Sequence, residues 1–309
     1  MLIRFIIGVL LGLYLGTARP VGADDAVDGF REAHGRFFHL LSSERTDLEL
    51  GYRFEPSVEE DGGPGEYRLH AFDLELELPY ALDRDFFLRG GFEYGARGYD
   101  FEPVASPALA AGSELLHRVE LLGGAGYFLS DDFLLTGLVA AGTYTNFVGG
   151  FDTAWLDYRA EGFAVYRINP GAQLLLGVSR SQVFDEHTIV PLVGLRLLSA
   201  TGHLHLSITA PVEARLTYRL NPAFELYAGG WAEGNLYHVE IDDRSLDLHV
   251  HDRRLGSGAT YWITKNITLG LEAGLLWGSE LEFKLAEAGQ FDNDLKTAPY
   301  VAAGIGFAL

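Results

Sequence analysis

From Val212 to Leu220 apolar and polar residues alternate without a break, Val212, Ala214, Leu216, Tyr218 and Leu220 against Glu213, Arg215, Thr217 and Arg219. A strand places such sets on opposite faces, so the pattern predicts a β-strand with one apolar and one charged face. Asn221-Pro222 supplies a turn, because the proline ring fixes φ and brings no N–H to a ladder. A second alternating run follows, with Leu226, Ala228, Gly230 and Ala232 on one face and Glu225, Tyr227, Trp231 and Glu233 on the other. In a soluble sandwich the charged face would meet water; in a transmembrane barrel the apolar face meets lipid and the charged face lines the lumen.

The same alternation recurs on both sides of this hairpin. Leu48, Leu50, Tyr52 and Phe54 oppose Asp47, Glu49 and Arg53; Phe72, Leu74, Leu76 and Leu78 oppose Asp73, Glu75 and Glu77. Leu88, Phe92, Tyr94 and Ala96 oppose Arg89, Glu93 and Arg97, and Val119, Leu121 and Tyr127 oppose Arg118 and Glu120. Leu156, Tyr158, Ala160 and Ala164 oppose Asp157, Arg159 and Glu161. Shorter strands are predicted at Gln173 to Val183, Ile189 to Leu198 and His203 to Thr209, with Arg196 on an inner position. Further on, Leu246 to Ile263 carries Arg254, and its apolar parity changes near Asp252, which suggests a β-bulge. Ile267 to Glu280 sets Leu269, Leu271, Ala273, Leu275 and Trp277 against Glu272, and the stretch from about Phe283 to Thr297 reads as an acidic loop.

Phe133 to Phe151 lacks any charged residue until Asp152 and is long enough for a membrane helix. Its glycines and its β-branched and aromatic residues favour a strand followed by a Gly-rich loop. Connections alternate in length, short after Tyr80, Phe128, Ile168, Leu198, Leu220 and Ile263 and longer after Phe54, Tyr99, Phe147, Phe184, Glu240 and Leu281. Short turns at one end and long loops at the other are the pattern of a transmembrane barrel. Ala210-Pro211 either turns a tight hairpin or bends one strand. Single-chain bacterial barrels have even strand numbers. The expected fold is therefore all-β, a transmembrane antiparallel up-and-down β-barrel of about 14 strands from 46 to 309, with 12 as the alternative.

The two ends agree with export to a membrane. Met1 to Arg4 is basic, Phe5 to Leu15 is apolar, and Val21-Gly22-Ala23 has the small residues of a signal-peptidase site, which predicts a cleaved signal peptide over 1–23. Residues 24–45 then read as an N-terminal periplasmic arm or short helix. The last segment, Tyr300 to Leu309, alternates Val301, Ala303, Ile305, Phe307 and Leu309 with smaller residues. It resembles the terminal strand of Gram-negative outer-membrane proteins, except that Leu309 stands where an aromatic is usual. That resemblance implies recognition by the barrel-assembly machinery. The chain has no cysteine, which removes disulfides, thiol catalysis and cysteine metal sites. With 43 acidic against 23 basic residues, a nucleic-acid partner is not expected.

Between Ile189 and the end, a strand with an internal proline, a His/Leu strand running into A-P-V-E-A-R-L-T-Y-R-L, a Gly-rich strand and H-D-R-R-L-G follow in order. The arrangement resembles a family of bacterial outer-membrane β-barrels known as a domain of unknown function. It is most specific from about Val190 to Gly274 and implies a fold and an outer-membrane location in contact with lipid and lipopolysaccharide. It implies no activity.

His205-Leu-Ser207 has the His/Ser spacing that resembles outer-membrane lipid hydrolases. Leu204, Leu206 and Ile208 take the lipid side, so His203, His205 and Ser207 are expected to face inward. His249 and His251 share a face and would ligate a metal with His203 and His205 only if distant strands met. No catalytic residue, metal site or cofactor is expected. The charged positions named above, with Glu213, Arg215, Arg219, Glu233, Arg254 and Glu272, form the expected lumen lining. A passive porin-like channel for small hydrophilic solutes with mild cation preference is the leading functional expectation. The alternatives are a lipid hydrolase on His205 and Ser207, or a sealed structural or adhesive barrel.

Overall fold

The computed structural model describes residues 46–61, 65–102, 112–148, 155–181, 188–241, 244–285 and 289–309. The predicted signal peptide and periplasmic arm lie outside the described residues. The first strands are β1 (Asp47–Glu59), β2 (Glu66–Ala81), β3 (Phe86–Glu102), β4 (Gly112–Ser130), β5 (Phe133–Thr145) and β6 (Leu156–Asn169). Shorter ones follow at β7 (Ala172–Ser181), β8 (Thr188–Leu198), β9 (Leu204–Ala210) and β10 (Glu213–Asn221). Then come β11 (Phe224–Ile241), β12 (Arg244–Thr264), β13 (Ile267–Leu276), β14 (Glu280–Leu285), β15 (Gly289–Asp294) and β16 (Ala298–Ala308).

Strands β1 to β13 pair with their neighbours in chain order, all antiparallel; β13 then pairs with β16, and β16 with β1. The ring is closed by 14 strands. The charge-free Phe133 segment is β5, and Ala210-Pro211 sits in the tight turn of the β9–β10 hairpin, where the Val212 N–H donates to the Thr209 carbonyl at 2.8 Å.

The stretch expected to be an acidic loop is instead a strand pair. β14 takes over from β13 along β12, with Leu246 to His251 pairing Leu285 to Glu280, and β15 returns to the tip of β1 through the Glu60–Leu295 bridge. Gly278, at φ +60°, makes the offset between β13 and β14, a backbone state that side-chain-bearing residues avoid. The wall is thus locally taller than its sequence signalled.

No bulge lies at Asp252. The β11–β12 register runs unbroken from Phe224–Tyr261 to Ile241–Arg244. The parity changes because the two faces exchange surroundings at this level. Along β12 the inner positions read Arg254, Asp252, Val250, Leu248 and Leu246, while the outer ones read Tyr261, Leu255, Arg253, His251 and His249. On β2 the inner positions pass from Glu77, Glu75 and Asp73 to the buried Ala71, Leu69 and Tyr67, and the outer ones from Phe72 to His70 and Arg68. At the level of Asp73, Glu75 and Arg254 the barrel is apolar outside and charged inside. Toward the long loops it is polar outside and apolar inside, as in a water-soluble barrel.

Leu121, Val139, Leu216, Leu255, Leu271 and many similar side chains form the outer band, with Leu271 66% exposed. Such a continuous apolar girdle is favourable only against hydrocarbon. A closed antiparallel ring of even strand number wearing it is the architecture of outer-membrane proteins.

The ring is also uneven in height. β10 begins at Glu213, opposite Trp231, yet β11 continues to Ile241, about 33 Å further along the strand at the usual rise. Above that level β11 meets β5 directly, through a parallel bridge between His238 and Thr145 and an Asn146 Nδ2 donation to the Glu240 carbonyl at 2.9 Å. A narrower tower built from β1–β5, β11, β12, β14 and β15 therefore stands beside the low wall of β6–β10.

Candidate functional site

Contacts between strands that are not neighbours in the ring can be made only through the interior, and they identify the inner face. Arg97 on β3 reaches Glu233 on β11 at 2.6 Å. Glu233 also receives Arg254 at 2.7 Å and Arg118 at 3.7 Å. Arg53 on β1 lies 3.1 Å from Asp252 on β12 and 3.0 Å from Glu55, and Arg97 lies 3.7 Å from Asp252. On the other flank Arg159 bonds Glu93 at 2.7 Å and lies 3.3 Å from Glu120, while Arg118 lies 3.6 Å from both Asp73 and Glu93. The guanidinium fork explains why Arg fills these positions: it serves several carboxylates from a fixed plane. Charges this deep must be paired, because stranding one costs several kcal/mol. The result is a belt of ion pairs across the lumen.

The acidic ladder on β2 is largely neutralised. Glu77 accepts from Arg89 Nε at 2.7 Å and Asp73 faces Arg118; Glu75 lines a small cavity of about 130 Å³ with Glu93, Arg159 and Glu161.

Apolar groups pack above and below the belt. In the tower, Tyr67 meets Tyr99 edge-on at 5.4 Å between centroids, Tyr99 stacks on Phe101 at 5.5 Å, and Tyr144 meets Tyr237 at 5.9 Å. Leu116, Leu248, Val250 and Phe283 complete this core. Toward the short turns, Phe87, Phe128, Leu134, Val165 and Leu175 form a second cluster on β3–β7. Phe87 lies over Gly126, its direct cross-strand partner, and an added Cβ there would collide with the ring.

Beside the belt, under the low wall, lies a cavity of about 410 Å³. Arg118, Arg159 and Glu233 bound it on the belt side, and Asp157, Glu161, Arg196, Glu213 and Thr209 line it from β6 and β8–β10. Its charged lining balances, with Arg89, Arg118, Arg159 and Arg196 against Asp157, Glu161, Glu213 and Glu233.

The remaining predicted positions sit nearer the short turns. The Arg215 guanidinium lies over the Tyr227 ring at 3.9 Å, Arg219 pairs with Glu225 at 3.3 Å, and His203 Nδ1 donates to the Arg219 carbonyl at 2.7 Å. Glu272 accepts from Tyr300 at 2.6 Å and Tyr227 at 2.9 Å, and Glu49 is exposed at the start of β1. His205 is buried opposite Thr217 and Ser207 stands opposite Arg215, on the face away from the exposed Leu204. Lipid and this pair are thus on different sides of the wall. His249 and His251 lie on β12 and His203 and His205 at and on β9, which do not pair, so that ligand set does not assemble. The residues missed by sequence reading are Glu55 and Asp252 in the belt and the inner aromatics Tyr67, Tyr99 and Tyr237. Each falls on the inner parity of its strand, a signal hidden by their apolar or isolated character.

Among solved structures, the chain is similar to an outer membrane channel of the COG4313 group from Pseudomonas putida F1, at 12% identity and TM-score 0.49, covering 86% of this chain and 95% of that one. It is similar to the P. putida toluene transporter TodX at 9% identity and TM-score 0.42, covering 90% and 92%. The translocator domain of the autotransporter NalP from Neisseria meningitidis is similar at 11% identity and TM-score 0.40, covering 94% and 100%. No curated protein matches the sequence. Residues 127–308, more than half of the chain, match the family described as Domain of unknown function (DUF6268), and the protein belongs to that family.

Proposed function

We propose that this protein is an outer-membrane channel for small hydrophilic solutes whose path runs off the barrel axis, along the low wall of β6–β10. The long loops face the cell exterior, and the start of β1 and the end of β16 face the periplasm with the short turns. The exterior girdle sits in lipid and lipopolysaccharide, and β16 is the strand read by the barrel-assembly machinery. The cavity beside the belt carries the proposal: polar groups line it where the tower above and the belt at its side are filled. Four arginines against four carboxylates make its selectivity weak, so the cation preference expected from the acidic lumen is small.

Single-channel recording from folded protein in a planar bilayer tests this reading. Small discrete steps are expected, with Glu213→Arg shifting the reversal potential toward anions. Folded protein that shows no steps would reject the channel and leave a sealed barrel.

A further inference from the structure

We propose that His249, His251 and Glu282 form a divalent transition-metal site on the outer wall of the tower, clasping β14 to β12. His249 and His251 are alternate residues of β12 and share its outer face, and the β12–β14 register sets Glu282 directly across from His249. The two imidazole centroids are 3.9 Å apart, and Glu282 Oε2 lies 3.7 Å from His249 Nδ1. One potential ligand atom from each of the three residues lies within 4.8 Å of the others. Donors bound to one tetrahedral zinc are about 3.4 Å apart, given Zn–N and Zn–O lengths near 2.1 Å, so small side-chain movements close the site.

The surroundings favour this use. His249 is 1% exposed and His251 8%, so both rings are already ordered and little side-chain entropy is left to lose on binding. Lys284 Nζ lies 3.1 Å from Glu282 Oε1, which orients the carboxylate and leaves Oε2 toward His249. The site also lies past the level at which the outer face turns from Leu255 to Arg253 and His251, hence beyond the apolar band, and Glu282 is its most exposed member. Two imidazoles with one carboxylate suit zinc, nickel, copper or cobalt over calcium or magnesium, which prefer all-oxygen sets. The ion would join a long strand of the ring to the added hairpin. This assignment is independent of the channel proposal.

Untagged, folded protein stripped with a chelator, loaded with zinc chloride, desalted and assayed for metal should retain about one zinc per chain. Cobalt in its place should give the visible bands of a low-symmetry, four-coordinate centre. The double variant His249→Ala/His251→Ala should retain none, and Glu282→Gln should weaken retention by roughly tenfold or more. His203→Ala should bind as the parent does. Heat-modifiable gel mobility reports whether each variant has folded, and the single variant His251→Gln replaces the double one if that fails to fold. No zinc retained by the parent, or equal retention by a folded variant lacking the imidazoles, would overturn the site.

Discussion

Arg97 on β3 and Glu233 on β11 meet at 2.6 Å through the middle of the barrel, although the two strands share no ladder. Glu233 sits at the centre of the belt, holding Arg97 with one oxygen and Arg254 with the other. Removing Glu233 would take from Arg97, which is 3% exposed, its 2.6 Å partner and leave it the more distant Asp252 carboxylate at 3.7 Å, which Arg53 already holds. Glu233→Ala is therefore expected to lower unfolding stability by about 3–5 kcal/mol, read from urea unfolding of the lipid-bound barrel. Replacing Arg97 by Met at the same time should recover much of that loss. A Glu233→Ala barrel as stable as the parent would show that the pairing is not made.

Phe283 anchors the added hairpin. Its ring is fully buried in the tower core, although β14 does not belong to the ring of fourteen. Phe283→Ala should cost about 3–5 kcal/mol if the tower unfolds with the barrel. Hydrogen exchange separates local from global loosening: amides of β14 and β15 should exchange faster while those of β3 and β4 keep their protection.

Gly126 is required by its neighbour. Phe87 covers the space that a side chain would need, so Gly126→Val should destabilise the barrel by about 1–3 kcal/mol through overpacking. The exchange Phe87→Gly with Gly126→Phe returns an aromatic to the same cross-strand pair and should regain part of the loss. Denaturant midpoints of the parent and the two variants check the order.

The ring itself was legible because lipid outside and charge inside impose a strict period of two, visible at Leu216 against Arg215 and at Leu74 against Asp73. The tower was not. At Asp252 the apolar residues change parity, and a sequence reader expects a bulge, since a bulge is the usual local cause. The actual cause is global: above the membrane band the wall keeps its register while water replaces lipid and a core replaces the lumen. The strand at Glu280 to Leu285 was lost for the same reason, its charges Glu280, Glu282 and Lys284 lying on the outer face where a membrane strand would be apolar. Individual belt residues were predicted from inner parity. Their pairing across the barrel was not, because which walls approach depends on the β5–β11 contact, and no local pattern encodes a bridge between Thr145 and His238.

Because the chain has no cysteine, a single introduced thiol reports access at its own position. Glu213 lines the cavity under the low wall, whereas Leu248 is 4% exposed within the tower core. If solute passes beside the tower, a charged methanethiosulfonate added to the Glu213→Cys channel should react and reduce its conductance, since the cavity of about 410 Å³ narrows with each added group. Leu248→Cys should remain unmodified and its conductance unchanged. The opposite outcome, with block at Leu248→Cys and none at Glu213→Cys, would place the path on the barrel axis and make the tower core a gate that opens.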